Sequence, residues 1–344
     1  MTTKRSLIAT PSTFVDIQLA GANYVLPLDP PAFENFLVAL VNDGTLLSTD
    51  KGATWGSPFG LAEGGPWGVI YQIPAGAYAG RYIALPLGSG LQAYVSVDSG
   101  VTYAAKSLFY TLNNKRGAKI VFGGAPSNYT WLRRTDERNT STNQLYLMRT
   151  ADGGINFTAT LFNSGGRPSV GGYGAGLETR VDGSVYVFGS LTTQFTTMDW
   201  SKSINEGTSF STETPLNPTG TLWESQQIRS GYHYGDDVIG VVANKISAGE
   251  NDPIVFITLD ASDTLVYTYI PTDVLGTVLE IDWLSAIPGI TGKWCISCRT
   301  ATESLWLVSD DGDPTTWSVL ETHGIATMGE GILGNLVQWG VATP

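Results

Sequence analysis

The sequence predicts an all-β fold assembled from repeated hairpin units, and three observations carry that expectation. Its 344 residues include 41 Gly, 10 Trp and 15 Tyr but only 15% charged residues, a mixture suited to short strands and tight turns rather than amphipathic helices. One short motif recurs at a nearly constant interval. Between its copies, apolar runs with strand-like alternation are punctuated by Gly, Pro and Asn. Length alone admits two or three domains or one large all-β domain.

The motif is clearest in Ser48-Thr49-Asp50-Lys51-Gly52-Ala53-Thr54-Trp55 and Ser96-Val97-Asp98-Ser99-Gly100-Val101-Thr102-Tyr103, both reading S-x-D-x-G-x-T-aromatic. A third copy is looser, with Asp152, Gly154 and Phe157, and a fourth has Asn205, Gly207 and Phe210. A fifth is centred on Asp260, and a sixth on Asp311 with one inserted residue before Thr316-Trp317. From Asp50 through Asp98, Asp152, Asn205 and Asp260 to Asp311, the intervals are 48, 54, 53, 55 and 51 residues. Such a period marks a repeat architecture. The chemistry is that of a turn: a short Asp accepts N–H groups of its own turn, Gly supplies positive φ, and the aromatic starts the next strand buried. The motif reads as a hairpin staple and not as a reaction centre.

These residues resemble the Asp-box, or BNR, repeat of sialidases, xyloglucanases, sortilin-type receptors and assorted phage proteins. In that family the box lies between the third and fourth strands of a propeller blade. The resemblance therefore implies one β-propeller of four-stranded blades over residues 1–344. The second blade reads as Trp67–Ile73, Arg81–Leu87, Gln92–Val97 and Thr102–Leu108. The third reads as Ala118–Gly123, Tyr129–Arg133, Gln144–Arg149 and Asn156–Phe162. Six boxes give six blades from about Ala22 to Thr322. Pairing residues 1–21 (Ser6–Thr10, Phe14–Leu19) with 324–344 (Ile325–Leu333, Asn335–Val341) closes a seventh and removes open edges. Six closed blades with two stray arms is the alternative.

A net charge of −12 favours solubility and argues against a broad nucleic-acid footprint. Met1 to Ala20 has only Leu7-Ile8-Ala9 before Pro11, too little for a signal peptide. No segment approaches the ~20 apolar residues of a membrane span. The expectation is a chain made in a host cytoplasm and not inserted in a membrane. Cys295 and Cys298 are offset by three, which on a strand sets them on opposite faces, so both read as structural. No cofactor or metal is expected, since His233 and His323 offer no cluster and the phosphate-loop, zinc and Ser-His-Asp spacings are absent.

For catalysis, sialidase-like members of the resembled family use an arginine triad opened by an early Arg-Ile-Pro motif. Nothing between Gly21 and Asn42 carries an Arg, and the nearest wording, Gly166-Arg167-Pro168, lies in another blade. Other glycosidases need two carboxylates at a set separation. Asp236 and Asp237 beside Tyr232, His233 and Tyr234 are the most site-like pair, although a turn between two strands is the simpler reading. Asp136 and Glu137 are the other candidates.

On the face opposite the boxes, Lys115 and Arg116, Arg133, Arg134 and Arg138, and Arg167 are expected on three strand connections around the third blade. They form either solvated loop tips or a basic patch gripping carboxylates, phosphates or an acidic neighbour. The leading expectation is a non-catalytic phage virion protein, a capsid decoration or tail-associated adhesin partnered by other virion proteins. The alternatives are a propeller binding a cell-surface glycan, with Trp67, Trp131 or Tyr173 stacking sugar rings, and an Asp-box glycoside hydrolase.

Overall fold

Strands pair antiparallel with their sequence neighbours throughout the described chain. A computed structural model describes residues 14–19, 22–27, 36–40, 44–48, 67–73, 76–86, 92–98, 102–107, 115–122, 129–136, 144–163, 176–180, 182–189, 198–212, 214–216, 227–233, 236–244, 254–270, 278–286, 292–300, 302–310 and 313–324. Two hairpins come first: β1 (Phe14–Leu19) with β2 (Ala22–Pro27), and β3 (Phe36–Leu40) with β4 (Gly44–Ser48). Five four-stranded meanders follow among the described residues. They are β5 (Trp67–Gln72), β6 (Tyr82–Pro86), β7 (Gln92–Ser96) and β8 (Ala104–Ser107), and then β9 (Lys115–Phe122), β10 (Thr130–Asp136), β11 (Gln144–Thr150) and β12 (Thr158–Asn163). Next come β13 (Leu177–Thr179), β14 (Val185–Gly189), β15 (Asp199–Ser203) and β16 (Thr214–Pro215), then β17 (Gln227–His233), β18 (Val238–Asn244), β19 (Ile254–Leu259) and β20 (Leu265–Ile270). The last sheet is β21 (Val278–Ala286), β22 (Trp294–Thr300), β23 (Glu303–Asp310) and β24 (Asp313–Gly324). There is no helix among the described residues, hence none able to cross a membrane.

The sheets pack through their first strands. β3 lies against β5, β5 against β9, β9 against β13, β13 against β17 and β17 against β21. Burial falls outward accordingly: β13 and β14 are buried throughout and β16 is exposed. A sheet covered on both faces needs apolar residues on both, which is why strands such as Ile254–Leu259 read as continuous apolar runs. Adjacent residues then enter different cores. Val241, Val255, Ile257 and Leu259 join Tyr186, Phe188 and Trp200 on one side. Val242, Ile254 and Phe256 join Trp294, Ile296 and Leu305 on the other. Cys298 belongs to the second core, and Cys295, absent from it, is also buried; neither is in a disulfide. Burial pushes the Cys295 thiol far above its ordinary range.

The start of the chain differs from the sequence reading, because Phe14–Leu19 pairs residue for residue with Ala22–Pro27, a segment that had been assigned to the first blade. Strands separated by two residues form a local hairpin at small entropic cost, which favours that partner. The closure expected from Ser6–Thr10 and from Ile325 onward lies outside the described residues.

Candidate functional site

The two ends of the sheets are built differently. At one end lie the turns joining first to second and third to fourth strands, which include the boxes. In the second box, Asp98 Oδ1 accepts the Ser96 hydroxyl (2.7 Å) and the Thr102 N–H (2.9 Å), and Oδ2 accepts the Thr102 hydroxyl (2.5 Å). In the third, Asp152 Oδ1 accepts Thr150 Oγ1 and the N–H groups of Ile155 and Asn156. In the fourth, Asn205 Oδ1 does the same with Ser203 Oγ and Ser209 N. The fifth lacks Gly. Asp260 still accepts Ser262 N and Thr264 N, while Asp263 takes the left-handed position at φ 61°. In the sixth, Asp311 lies outside the described residues, Asp310 pairs with Asp313, and Trp317 packs on Phe256 with ring centroids 5.0 Å apart. In the first box, Ser48 ends β4; Asp50, Gly52, Thr54 and Trp55 lie outside the described residues, as does Gly100 of the second.

The motif's leading hydroxyl has a role that the sequence reading left unassigned. Thr150 Oγ1 and Ser203 Oγ each accept the box glycine's N–H, from Gly154 and Gly207, at 2.8 Å. Ser96, Thr150, Ser203 and Ser309 are all buried. The signal was present, since Ser or Thr stands two residues before the acid or amide in every copy.

Box hydrogen bonds stabilise the charged carboxylate. Donation by Thr102 and Ser96 lowers the Asp98 pKa from 3.8 to about 2. A folded pKa below the unfolded one contributes stability that is full above about pH 4 and lost as pH falls toward 2. Asn205 makes the equivalent acceptor bonds without charge. Asp98→Asn is therefore expected to fold normally at neutral pH and to flatten this acid limb in denaturation midpoints measured from pH 5 to 2. An unchanged limb would contradict the assignment.

Arginines lock the third, fourth and fifth box turns to the preceding sheet. Arg81 Nη1 donates to the Asp152 carbonyl (2.9 Å), Arg149 Nη1 to the Glu206 carbonyl (3.1 Å), and Arg180 Nη2 to the Asp260 carbonyl (2.6 Å). Each guanidinium also lies over a tyrosine ring, Tyr78, Tyr129 or Tyr186, at 4.5, 4.8 and 5.0 Å. Arg180, 2% exposed at its side chain, further reaches Leu259 O, Asp237 and Asp263. Lys202 and the Tyr186 hydroxyl complete the shell of Asp263.

The site-like pair Asp236–Asp237 is absorbed here. Asp236 accepts Gly292 N and lies 3.3 Å from His233 Nδ1, while Asp237 meets Arg180 and accepts the Tyr232 hydroxyl. These carboxylates bind sheet to sheet. Among the described residues there is no cluster of three or more His, Cys, Asp or Glu side chains able to hold a metal.

Because the first-to-second turn bearing Arg81 meets a third-to-fourth turn of the next sheet, these turns share one end. The first strands therefore all begin at the other. There three of the five inner strands, β5, β9 and β21, carry extra residues. Register breaks between Trp67 and Val69 in β5, opposite Arg133–Thr135 in β9, and between Val278 and Glu280 and between Ile281 and Trp283 in β21. Bulges re-aim side chains and concentrate next to functional sites.

The basic residues differ in placement from the sequence reading. Arg133 and Arg134 lie inside β10 and Lys115 and Arg116 open β9, where connections had been expected. Charge does not end a strand that has partners on both sides: Asp136 stands opposite Lys115 and Gln144, and Thr135 opposite Arg116 and Leu145. Arg138, Arg167, Glu137 and Tyr173 lie outside the described residues. Trp131 is at the box end of β10, and Trp67 opens β5 at the far end.

No protein-family model matches the chain, and no curated protein does. Solved structures do. An Aleuria aurantia lectin in complex with α-methyl-L-fucoside matches with a TM-score of 0.54 at 11% identity, over 86% of this chain and 96% of the lectin. Another structure of that lectin is described as a six-bladed β-propeller. The fold is a β-propeller. A polysaccharide lyase, an ulvan lyase bound to a repeat of glucuronate and sulfated rhamnose, matches at 0.57 and 10% identity over 86% of this propeller and 81% of the lyase. A Penicillium chrysogenum α-L-arabinanase complexed with arabinobiose matches at 0.50 and 13% identity, over 75% of the chain and 82% of the enzyme.

Proposed function

We propose that this propeller binds a carbohydrate at the end of its blades remote from the boxes, without cleaving it. The observation that carries this reading is that three separate structures of this fold, a lectin, a lyase and an arabinanase, each hold a saccharide. Fold alone does not choose a ligand, and the geometry adds two supports. The box end is occupied by blade-to-blade bonds. The far end carries bulged inner strands and the Trp67 position, suited to a ring that stacks on an indole face. Binding is favoured over hydrolysis because Asp236 and Asp237, the most site-like acids in the sequence, are engaged in structural pairs. A ring of six blades, one per box, fits both the repeat and the six-bladed lectin. Carriage on a phage particle draws no support from these likenesses.

Glycan-array screening followed by calorimetry tests the reading. The expected outcome is saturable binding of a restricted set of glycans, with no new reducing or unsaturated ends after prolonged incubation. Absence of any array signal from folded protein would contradict the binding reading, and product formation would contradict the absence of cleavage.

A further inference from the structure

Charge is unevenly spread along this propeller. Residues 106–167 hold nine Lys or Arg against three Asp or Glu, in a chain with 19 against 31 overall. The rest of the molecule is thus strongly acidic. The excess centres on the blade formed by β9–β12. Two of its cations, Arg149 and Lys106, sit elsewhere, one latched to the Glu206 carbonyl and one on the outer strand β8.

Five of the others, on β9 and β10, gather by position. Lys115 and Arg116 occupy the first two places of the innermost strand β9, and Lys119 follows within the same strand. Arg133 stands directly opposite Lys119, and Arg134 faces the bulge in β9. Asp136, opposite Lys115, is the one acid of β9 and β10. β9 carries three cations, against none in β5, Arg229 alone in β17, Glu178 in β13, and Glu280 and Asp282 in β21.

Two further observations bear on what would sit there. β5 and β9 are adjacent inner strands that start at the same end, so Trp67 and Lys115–Arg116 open neighbouring strands. Both strands are bulged near those starts. An aromatic position beside a group of cations is the chemistry that recognises a ring with apolar C–H faces and anionic substituents. A base would stack equally well, but the acidic remainder of the chain, 10 Lys or Arg against 28 Asp or Glu outside residues 106–167, repels an extended phosphate backbone. A short charged saccharide meets only the basic sector.

We propose that the ligand is an anionic saccharide, bearing carboxylate or sulfate groups, held where β5 and β9 begin. This rests on the carbohydrate-binding reading and specifies the ligand's chemical class. Lys115 and Arg116, which open β9, supply the charge recognition and Trp67, which opens β5, the stacking surface.

The test is calorimetric titration of the full chain with four probes matched in length. These are oligogalacturonate, its methyl ester, a sulfated dextran oligosaccharide and plain dextran. The expected result is binding of at least one anionic probe about tenfold or more tighter than its neutral counterpart, as loss of charge-assisted hydrogen bonds implies. That affinity falls as NaCl rises from about 50 to about 300 mM, through screening. Preference between oligogalacturonate and sulfated dextran identifies carboxylate or sulfate as the group read. Lys115→Ala/Arg116→Ala reduces it about tenfold or more, with Arg116→Gln as the milder variant should the double change disturb folding. Lys106→Ala, which removes from the outer strand the same single charge that Arg116→Gln removes from the inner one, leaves it unchanged. Equal binding of charged and neutral probes would overturn the anionic assignment and leave the carbohydrate reading standing. Equal binding of a single-stranded oligonucleotide would overturn it as a general polyanion surface. No binding of these probes together with a silent glycan array would overturn both.

Discussion

Arg180→Met is expected to cost about 3–5 kcal/mol of folding stability, the range for removing one partner of a buried charged network. The guanidinium is 2% exposed and serves five groups of the next blade: the Asp237, Leu259 and Asp260 carbonyls and the carboxylates of Asp237 and Asp263. A methionine fills much of the volume but donates nothing, so the carbonyls lose their donor, while the Asp237 carboxylate, 42% exposed at its side chain, turns to water instead. Asp263 keeps Lys202 and Tyr186, which limits the loss at that one group. Arg180→Lys should fall between, because an ammonium restores charge but cannot reach several acceptors as a planar fork. Denaturant unfolding of the three proteins decides the matter. A loss below about 1 kcal/mol for the methionine variant, the level of an exposed ion pair, would show that the latch is ornamental.

Gly154→Ala is the second large effect, expected at about 3 kcal/mol. Two costs combine. The residue sits at φ 92°, a conformation that disfavours any Cβ by about 1–2 kcal/mol. A Cβ there would also lie 2.8 Å from Val95 Cγ2 and 3.2 Å from Ile83 Cδ1 of the preceding blade, overpacking worth about 1–3 kcal/mol. Gly80 separates the two contributions, having φ 83° with nothing within 4 Å of a Cβ. Gly80→Ala should cost about 1 kcal/mol, through backbone conformation alone. If both variants unfold at the same midpoint, the box glycine does not seat its turn against the neighbouring blade.

These residues show what the sequence discloses and what it conceals. The second, third and fourth boxes were legible because their physics is local, with acid or amide, glycine and hydroxyl lying within about one turn of chain. The strands of the second and third blades were legible to within a few residues for the same reason, through alternation and turn punctuation. The arginine latches were not. Arg81 precedes β6, Arg149 is the last residue but one of β11 and Arg180 follows β13, so the partner blade reuses a donor and not a position, and no spacing betrays it. Asp263 was hidden likewise, since it takes a glycine-like φ that its bonds to Arg180, Tyr186 and Lys202 hold in place. Arg133 and Arg134 read as a polar connection because strand pairing on both sides, which keeps them extended, is set by β9 and β11 and not by their own residue types.

In the proposed function the box end of the molecule holds blades together and the far end receives the ligand. Hydrogen–deuterium exchange of the protein with and without the tightest-binding oligosaccharide tests that division most directly. Slowed exchange is expected at the starts of the inner strands, around Trp67 to Val69 and Lys115 to Arg116, with the turns at Ser96–Tyr103, Thr150–Phe157 and Ser203–Phe210 unchanged. Protection confined to those box turns would contradict it.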